Sequence, residues 1–280
     1  MVTHPADMTA WPAIACERGC SAHAIRNITV DLARPHAYAD LTPVPARLAA
    51  LWPMVVWDTS IHPVDGGPYC PAHDAVSETI LTTGVWEPRE TVLALDVLHP
   101  GDTFLDLGCQ IGWFSMAAMS RGARVIAVDA DPDNLAMANM SAQQLLSGRF
   151  TARLERIGPG MDPFTIQPYR LVKIDLEGAE ADAIDLLWDA ILDDQVDHVL
   201  MEVSPIFKPG NHYPDLLSRL VRYCGYEAYF LPPKSSPPTV YVDAESFLAP
   251  YRIDDRADMR QLVADCGQED VWLRRKGAAW

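Results

Sequence analysis

From Val76 onward the chain changes between short unbroken apolar runs and longer stretches with apolar residues at helical spacing. An unbroken run bounded by turn formers reads as a strand buried on both faces, and an i, i+3, i+4, i+7 pattern reads as a helix packed by one face. Thr103–Leu107, Arg124–Val128, Thr151–Ile157, Leu171–Ile174 and His198–Val203 are therefore predicted strands. Tyr226–Leu231, Thr239–Val242 and Val271–Arg275 are candidates to complete the sheet. Helical spacing runs through Ser77–Thr82, Pro88–Val97, Phe114–Ser120, Asn134–Leu146, Ala181–Leu192 and Asp215–Cys224, the last closed by Gly225, a residue suited to a helix C-terminus. Strands alternating with helices predict a three-layer α/β fold with helices on both faces of a mostly parallel sheet.

The first 75 residues follow neither rhythm. They are rich in Pro, Ala and His, with short apolar stretches such as Leu48–Trp57 and a loop by composition at Pro63–Pro71. The expected organisation is an N-terminal part over residues 1–75, either a cap containing one or two helices or a loosely ordered extension, and a catalytic domain over 76–280. Such a cap would lie over the site or at a homodimer contact.

The most informative segment is 103–131, a strand, a glycine-marked loop, a small-residue helix and a second strand ending on Asp129. Gly108 and Gly112 allow a sharp turn and the close approach of a ligand. Asp129, 21 positions after Gly108, stands where a ribose diol is held in nucleotide-binding folds. A dinucleotide site calls for G-x-G-x-x-G to bring amides onto a pyrophosphate. The pattern here is Asp106-x-Gly108-x-x-x-Gly112, with Ser115 where a further glycine would have supported a dinucleotide. A carboxylate before the first glycine repels phosphate and suits a cation. S-adenosylmethionine (SAM) carries a sulfonium and an ammonium and no phosphate, so the loop favours SAM over NAD. No Walker-type Gly-Lys-Ser/Thr follows.

Strand-end carboxylates add to this reading. Ligands in open α/β sheets bind beyond the carboxyl ends of the strands, so Asp106, Asp129, Asp175 and Glu202 should converge on one crevice. In Lys173-Ile174-Asp175-Leu176-Glu177-Gly178-Ala179-Glu180, Asp175 sits at a strand tip. Glu177 and Glu180 fall in the first turn of the next helix, where negative charge is favourable and a capping role competes with catalysis. His212, on a loop after the fifth strand, is a candidate base beside Glu202.

Composition narrows the function class. A formal net charge of −16 over 280 residues weighs against a nucleic-acid backbone as partner, where Lys and Arg must neutralise phosphates. Cys16, Cys20, Cys70, Cys109, Cys224 and Cys266 show no paired Cys-x-x-Cys spacing, and no secretory leader or membrane span is evident. Reduced thiols in a cytoplasmic protein follow. His62, Cys70 and His73 match no common zinc spacing. Asp175, Glu177 and Glu202 could offer oxygen ligands to Mg²⁺, but no metal is assigned.

Several segments together resemble the FkbM-type SAM-dependent methyltransferases. They are Trp86–Pro88 (WEP), Pro100–Ser115 (PGDTFLDLGCQIGWFS), Val125–Asn134 (VIAVDADPDN), Val172–Glu180 (VKIDLEGAE) and Leu200–Pro205 (LMEVSP). Asp129 stands where that family usually has Glu, and Cys109-Gln110 where it commonly has Ala-Asn. The resemblance implies a class I methyltransferase fold, Rossmann-like with a mostly parallel seven-stranded sheet, and methylation of a hydroxyl on a small or secondary metabolite, as in natural-product biosynthesis. It places Glu87, Asp106, Gly108, Gly112, Asp129 and Asp175 around SAM, with Asp175, Glu202 and His212 as catalytic candidates. The expected reaction is O-methylation of a hydroxyl or carboxyl group of a small molecule, without nucleic acid or membrane as partner. The alternatives are N-methylation of an amine or of a peptide or carrier-bound intermediate, an NAD-dependent oxidoreductase, and a non-catalytic SAM-binding protein.

Overall fold

The computed structural model describes residues 25–31, 51–57, 76, 86–144, 148–205, 213–232, 243–253, 259, 262–263 and 268–280. Two strands precede the main sheet, β1 (Ile25–Asp31) and β2 (Leu51–Trp57), paired antiparallel with Ile25 opposite Trp57. These two segments of the expected cap are strands, whereas its one or two expected helices were assigned to no particular residues. Leu51–Trp57 is apolar enough for either element, and pairing with β1 decides it. The cap's other residues and the Ser77–Thr82 and Thr239–Val242 elements lie outside the described residues.

The main elements follow in order: α1 (Pro88–Val97), β3 (Thr103–Leu107), α2 (Trp113–Ser120), β4 (Arg124–Asp129), α3 (Pro132–Gln144), β5 (Phe150–Leu154), β6 (Tyr169–Ile174), α4 (Glu180–Leu186), α5 (Trp188–Leu192), β7 (Val196–Val203), α6 (Tyr213–Tyr223), β8 (Tyr226–Phe230), α7 (Ala244–Leu248), β9 (Arg252–Ile253) and β10 (Glu269–Arg275). The eight strands from β3 onward form one sheet in the order β5-β4-β3-β6-β7-β10-β8-β9. Pairing is parallel from β5 to β7, while β10 runs antiparallel between β7 and β8. This is the expected Rossmann-like sheet, with eight strands among the described residues where seven were expected. The addition is the two-residue β9, antiparallel to β8.

Alternation along the strands builds a core on each face. Phe104, Val125, Ala127, Leu171, Leu200 and Trp272 pack on one side with residues of α1, α2, α3 and α7. Leu105, Val128, Val172, Ile174, Met201 and Val203 pack on the other with residues of α4, α5 and α6. All five β3 residues are buried, as expected of a central parallel strand. In α6, Tyr213, Leu216, Leu217 and Leu220 are buried at helical spacing.

Two boundaries differ from the expected ones for local reasons. The third strand ends at Leu154 instead of Ile157, because β5 is an edge strand and its partner β4 ends at Asp129, opposite Leu154. Ala181–Leu192 is two short helices. Leu187, fully buried, lies between them, and its amide bonds both Ala183 O (3.1 Å) and Ile184 O (3.2 Å).

The chain leaves β3 toward β4 and β5 on one side, then returns to β6 on the other. That reversal opens a crevice between the carboxyl ends of β3 and β6.

Candidate active site

The loop after β3 is held against its neighbours at close range. Gly108 has φ +78°, and a Cβ there would lie 1.9 Å from the carbonyl oxygen of Asp175 at the end of β6. Gly112 has φ +87°, and a Cβ there would lie 2.9 Å from the Ala138 Cβ of α3. Both glycines therefore answer to contacts within the protein, a requirement separate from any ligand's approach. The amides of Gly108 and Cys109 both donate to Val128 O, at 2.9 and 3.1 Å, which ties the loop to β4.

Asp129 ends β4 and organises that junction. Its Oδ2 accepts from the Gln110 amide and its Oδ1 from the Asp131 amide, both at 2.8 Å. Gln110 takes φ +49°, which turns its amide toward the carboxylate. Each carboxylate oxygen keeps a second lone pair for a hydroxyl donor.

Asp106 is 1% exposed, and its Oδ2 accepts from Ser115 Oγ at 2.6 Å. Its Oδ1 is buried and has no hydrogen-bond partner among the described residues. Burial pushes its pKa up to about 6, although the Lys173 ammonium and the Ser115 hydroxyl pull it back.

Lys173, on β6, sits directly across the strand pair from Asp106. Its Nζ donates to Asp175 Oδ2 at 2.7 Å and lies 4.8 Å from the centre of the Phe114 ring. Burial works against the ammonium, but Asp175, Glu87 and Asp106 outweigh it and raise the pKa above the ordinary lysine range. Lys173 is therefore a fixed positive charge at neutral pH.

The turn after β6 separates its acids. Glu180 is fully buried; its Oε1 accepts from the amides of Gly178 (2.9 Å) and Leu176 (3.2 Å), and its Oε2 from Tyr213 OH (2.6 Å). It ties the turn to α6. Glu177 is exposed, with φ +50°.

Glu202, near the end of β7, is 4% exposed. Ser204 Oγ donates to its Oε2 and Gln268 Nε2 to its Oε1, each at 2.6 Å. Glu87 precedes α1 with φ +42°, and its carbonyl accepts from the Thr91 amide at 2.8 Å.

These groups meet in one cleft of about 600 Å³. Glu87, Asp106, Asp129, Asp175, Glu177 and Glu202 contribute carboxylates to its lining, and Lys173 is the one cationic side chain lining it among the described residues. Gly108 also borders it, whereas Gly112 faces α3. His212 lies outside the described residues. Sequence reasoning did not assign Lys173, Gln110 or Gln268 to the site. The alternation Lys173-Ile174-Asp175 was a usable signal for the first, because it puts Lys173 and the strand-tip acid on one face. Among the described residues no group of three or more His, Cys, Asp or Glu could hold a metal ion, and no helix is long and apolar enough to cross a membrane.

No family model matches the chain, and neither does any curated protein. Solved structures similar to it include an rRNA methylase from Streptococcus thermophilus, at 11% identity and TM-score 0.44, covering 67% of this chain and 94% of that one. A TehB-like SAM-dependent methyltransferase from Corynebacterium glutamicum is 15% identical, with TM-score 0.43 and coverage of 71% and 94%. A protein of Streptococcus mutans solved in complex with SAH is 10% identical, with TM-score 0.42 and coverage of 68% and 98%. At such identities and scores, the chain's own residues carry the functional reading.

Proposed function

We propose that this chain is a SAM-dependent methyltransferase of FkbM type, acting on a hydroxyl or carboxyl group of a small molecule. The observation that carries the reading is the lining of the switch-point cleft, to which six acidic residues and one lysine contribute among the described residues. Such a lining disfavours the pyrophosphate of a dinucleotide and favours a ligand with a sulfonium and an ammonium. The orphaned buried Asp106 Oδ1 calls for a donor that the described residues do not supply. The cleft volume also falls within the roughly 300–1,000 Å³ of small-molecule sites.

In this reading Asp129 holds the ribose diol, while Asp106, Glu87 and the loop from Gly108 to Gly112 hold the amino-acid end. The bound cofactor supplies an electrophilic methyl group, so the protein's main task is to align the acceptor. Asp175, fixed by Lys173, borders the reacting centre. Glu202, whose oxygens accept from the neutral donors Ser204 and Gln268, is the carboxylate that can take an acceptor proton. The acidic lining also favours an acceptor bearing an amine, and N-methylation is the second reading. The chain's net charge of −16 makes a neutral or cationic acceptor better suited than a polyanion.

Calorimetric titration with S-adenosylhomocysteine (SAH), repeated on Asp129→Ala, tests the proposal. Saturable binding that the substitution weakens at least about a hundredfold supports it. Binding of NAD with no heat from SAH would reject it.

A further inference from the structure

Four residues other than glycine take a left-handed backbone among the described residues, and three of them, Glu87, Gln110 and Glu177, line the cleft. Such a backbone strains a residue that has a Cβ, and it persists where the surroundings impose it. At Gln110 the turn aims the amide at Asp129, and at Glu87 it opens α1, where the carbonyl accepts from the Thr91 amide. Glu177 has no such reason of its own. Its conformation, with φ +50°, is set from both sides. The flanking amides of Leu176 and Gly178 donate to Glu180 Oε1 at 3.2 and 2.9 Å, and Tyr213 OH holds Glu180 Oε2 at 2.6 Å. A glycine would make the same turn without strain. The carboxylate of Glu177 makes no hydrogen bond or ion pair among the described residues. A strained turn thus displays at the cleft a charge that the fold does not use.

The neighbouring groups narrow what that charge meets. On the wall formed by the ends of β6 and β7, Lys173 donates to Asp175, while Ser204 and Gln268 donate to Glu202. Donors there serve the protein's own carboxylates. An incoming molecule meets acceptors and has to bring donors.

We propose that Glu177 recognises the acceptor substrate, and that this substrate carries a protonated amine apart from the hydroxyl to be methylated. The inference rests on the methyltransferase reading above and narrows its substrate class. A protonated amine has no lone pair with which to attack a sulfonium, so the group held by Glu177 is recognised and not methylated. The hydroxyl belongs near Glu202, which is 4% exposed and can take its proton. A carboxylate or phosphate in place of the amine would meet like charge at Glu177, which excludes anionic relatives of the substrate.

The test uses the full chain saturated with SAH and three hydroxyl-bearing probes on one skeleton: tyramine, 4-hydroxyphenylethanol and 4-hydroxyphenylacetate. In calorimetric titration the wild-type protein should bind tyramine most tightly and the acid most weakly, at least about tenfold apart. Glu177→Gln should weaken tyramine about three- to tenfold, between the ranges for an exposed ion pair and a hydrogen bond to a charged group. The neutral probe and SAH should stay within about twofold of their wild-type affinities. Tyramine binding no better than the acid, or equal losses of tyramine and the neutral probe in Glu177→Gln, overturns the proposal. Glu177→Gly supplies a readout independent of the probes. Release of the left-handed strain should raise its urea midpoint by about 0.3 M, with SAH affinity unchanged. A lowered midpoint would show that the side chain serves the fold, and would equally overturn the proposal. Absence of SAH binding to the wild type rejects the cofactor reading itself, whereas SAH binding without amine preference rejects this inference alone.

Discussion

At the amino end of the parallel strands carboxylates are matched by arginines, although Arg275 Nε and Trp280 Nε1 stay buried without a hydrogen-bond partner among the described residues. Asp197 takes Arg170 on one oxygen and Arg275 on the other, and Glu227 takes both Arg274 and Arg252. Buried His198 is satisfied on both ring nitrogens. Trp272 Nε1, which can only donate, donates to Nδ1 at 3.2 Å, so Nε2 carries the proton and donates to Ala279 O at 2.9 Å. At the carboxyl end six acidic residues and one lysine line the cleft among the described residues, and Asp106 Oδ1 has no hydrogen-bond partner among them. The same sheet thus carries one end where acids and arginines balance and another where acids outnumber cations. A balanced network serves the fold. An excess of one sign costs stability unless something else compensates it, and that imbalance in charge marks the site more clearly than any single residue does.

The largest break in this contrast is expected from Gly108→Ala. The added Cβ would press on the Asp175 carbonyl from a backbone with φ +78°, so the loop or β6 must move. A stability loss of more than about 3 kcal/mol in urea unfolding is expected, together with loss of SAH binding.

At the amino end, His198→Leu strands the Trp272 N–H and the Ala279 carbonyl. Urea unfolding should show a loss of about 2–4 kcal/mol, with SAH affinity within about twofold of wild type. The variant should also change the pH profile. Burial, reinforced by Arg170, holds the His198 pKa down to about 3. Its unfolded form binds a proton near 6.5, so the stability it contributes is present above that value and lost as pH falls toward 3. That acid loss should be smaller in His198→Leu.

Asp106→Asn should act in the opposite sense at the carboxyl end. The folded pKa is raised from 3.8 to about 6, so the group's contribution is full below 3.8 and is lost as pH rises through 6. Asparagine imitates the protonated form. Thermal and urea unfolding at pH 7 should show a gain of up to about 2–3 kcal/mol, vanishing below about pH 4, with SAH binding weakened. A loss of stability at pH 7 would show that the ionised carboxylate is compensated in the folded chain.

The smallest effect is expected for Arg252→Ala. Its pair with Glu227 at 3.1 Å is partly exposed, and Arg274 also holds that carboxylate. Less than about 1 kcal/mol should be lost by urea unfolding, with no change in ligand binding.

Much of the fold was legible because local sequence and burial agree. Thr103–Leu107 is the observed β3 to the residue, and the first-turn acid Asp133 and the closing Gly225 flank helices where expected. Asp106, Asp129, Asp175 and Glu202 could be placed in the cleft from strand ends alone, since a parallel sheet aligns its carboxyl tips. Their different fates could not. Glu180 and Glu177 look alike in sequence, yet one is consumed by two amides and a tyrosine and the other stays exposed. The strands near the N-terminus escaped notice because their apolar pattern is ambiguous until a partner is present.

What the sequence determined by itself is the rhythm of buried strands and one-sided helices, and the chemistry at their tips. Both follow from side-chain period and turn residues, which act over a few positions. Only the tertiary structure decided that β10 enters between β7 and β8 and that Asp106 lies opposite Lys173. It also decided that this pair stays apart while Asp197 and Glu227 are fully matched. Register and pairing depend on which distant segments meet, and a buried charge is satisfied or stranded only once those neighbours are in place.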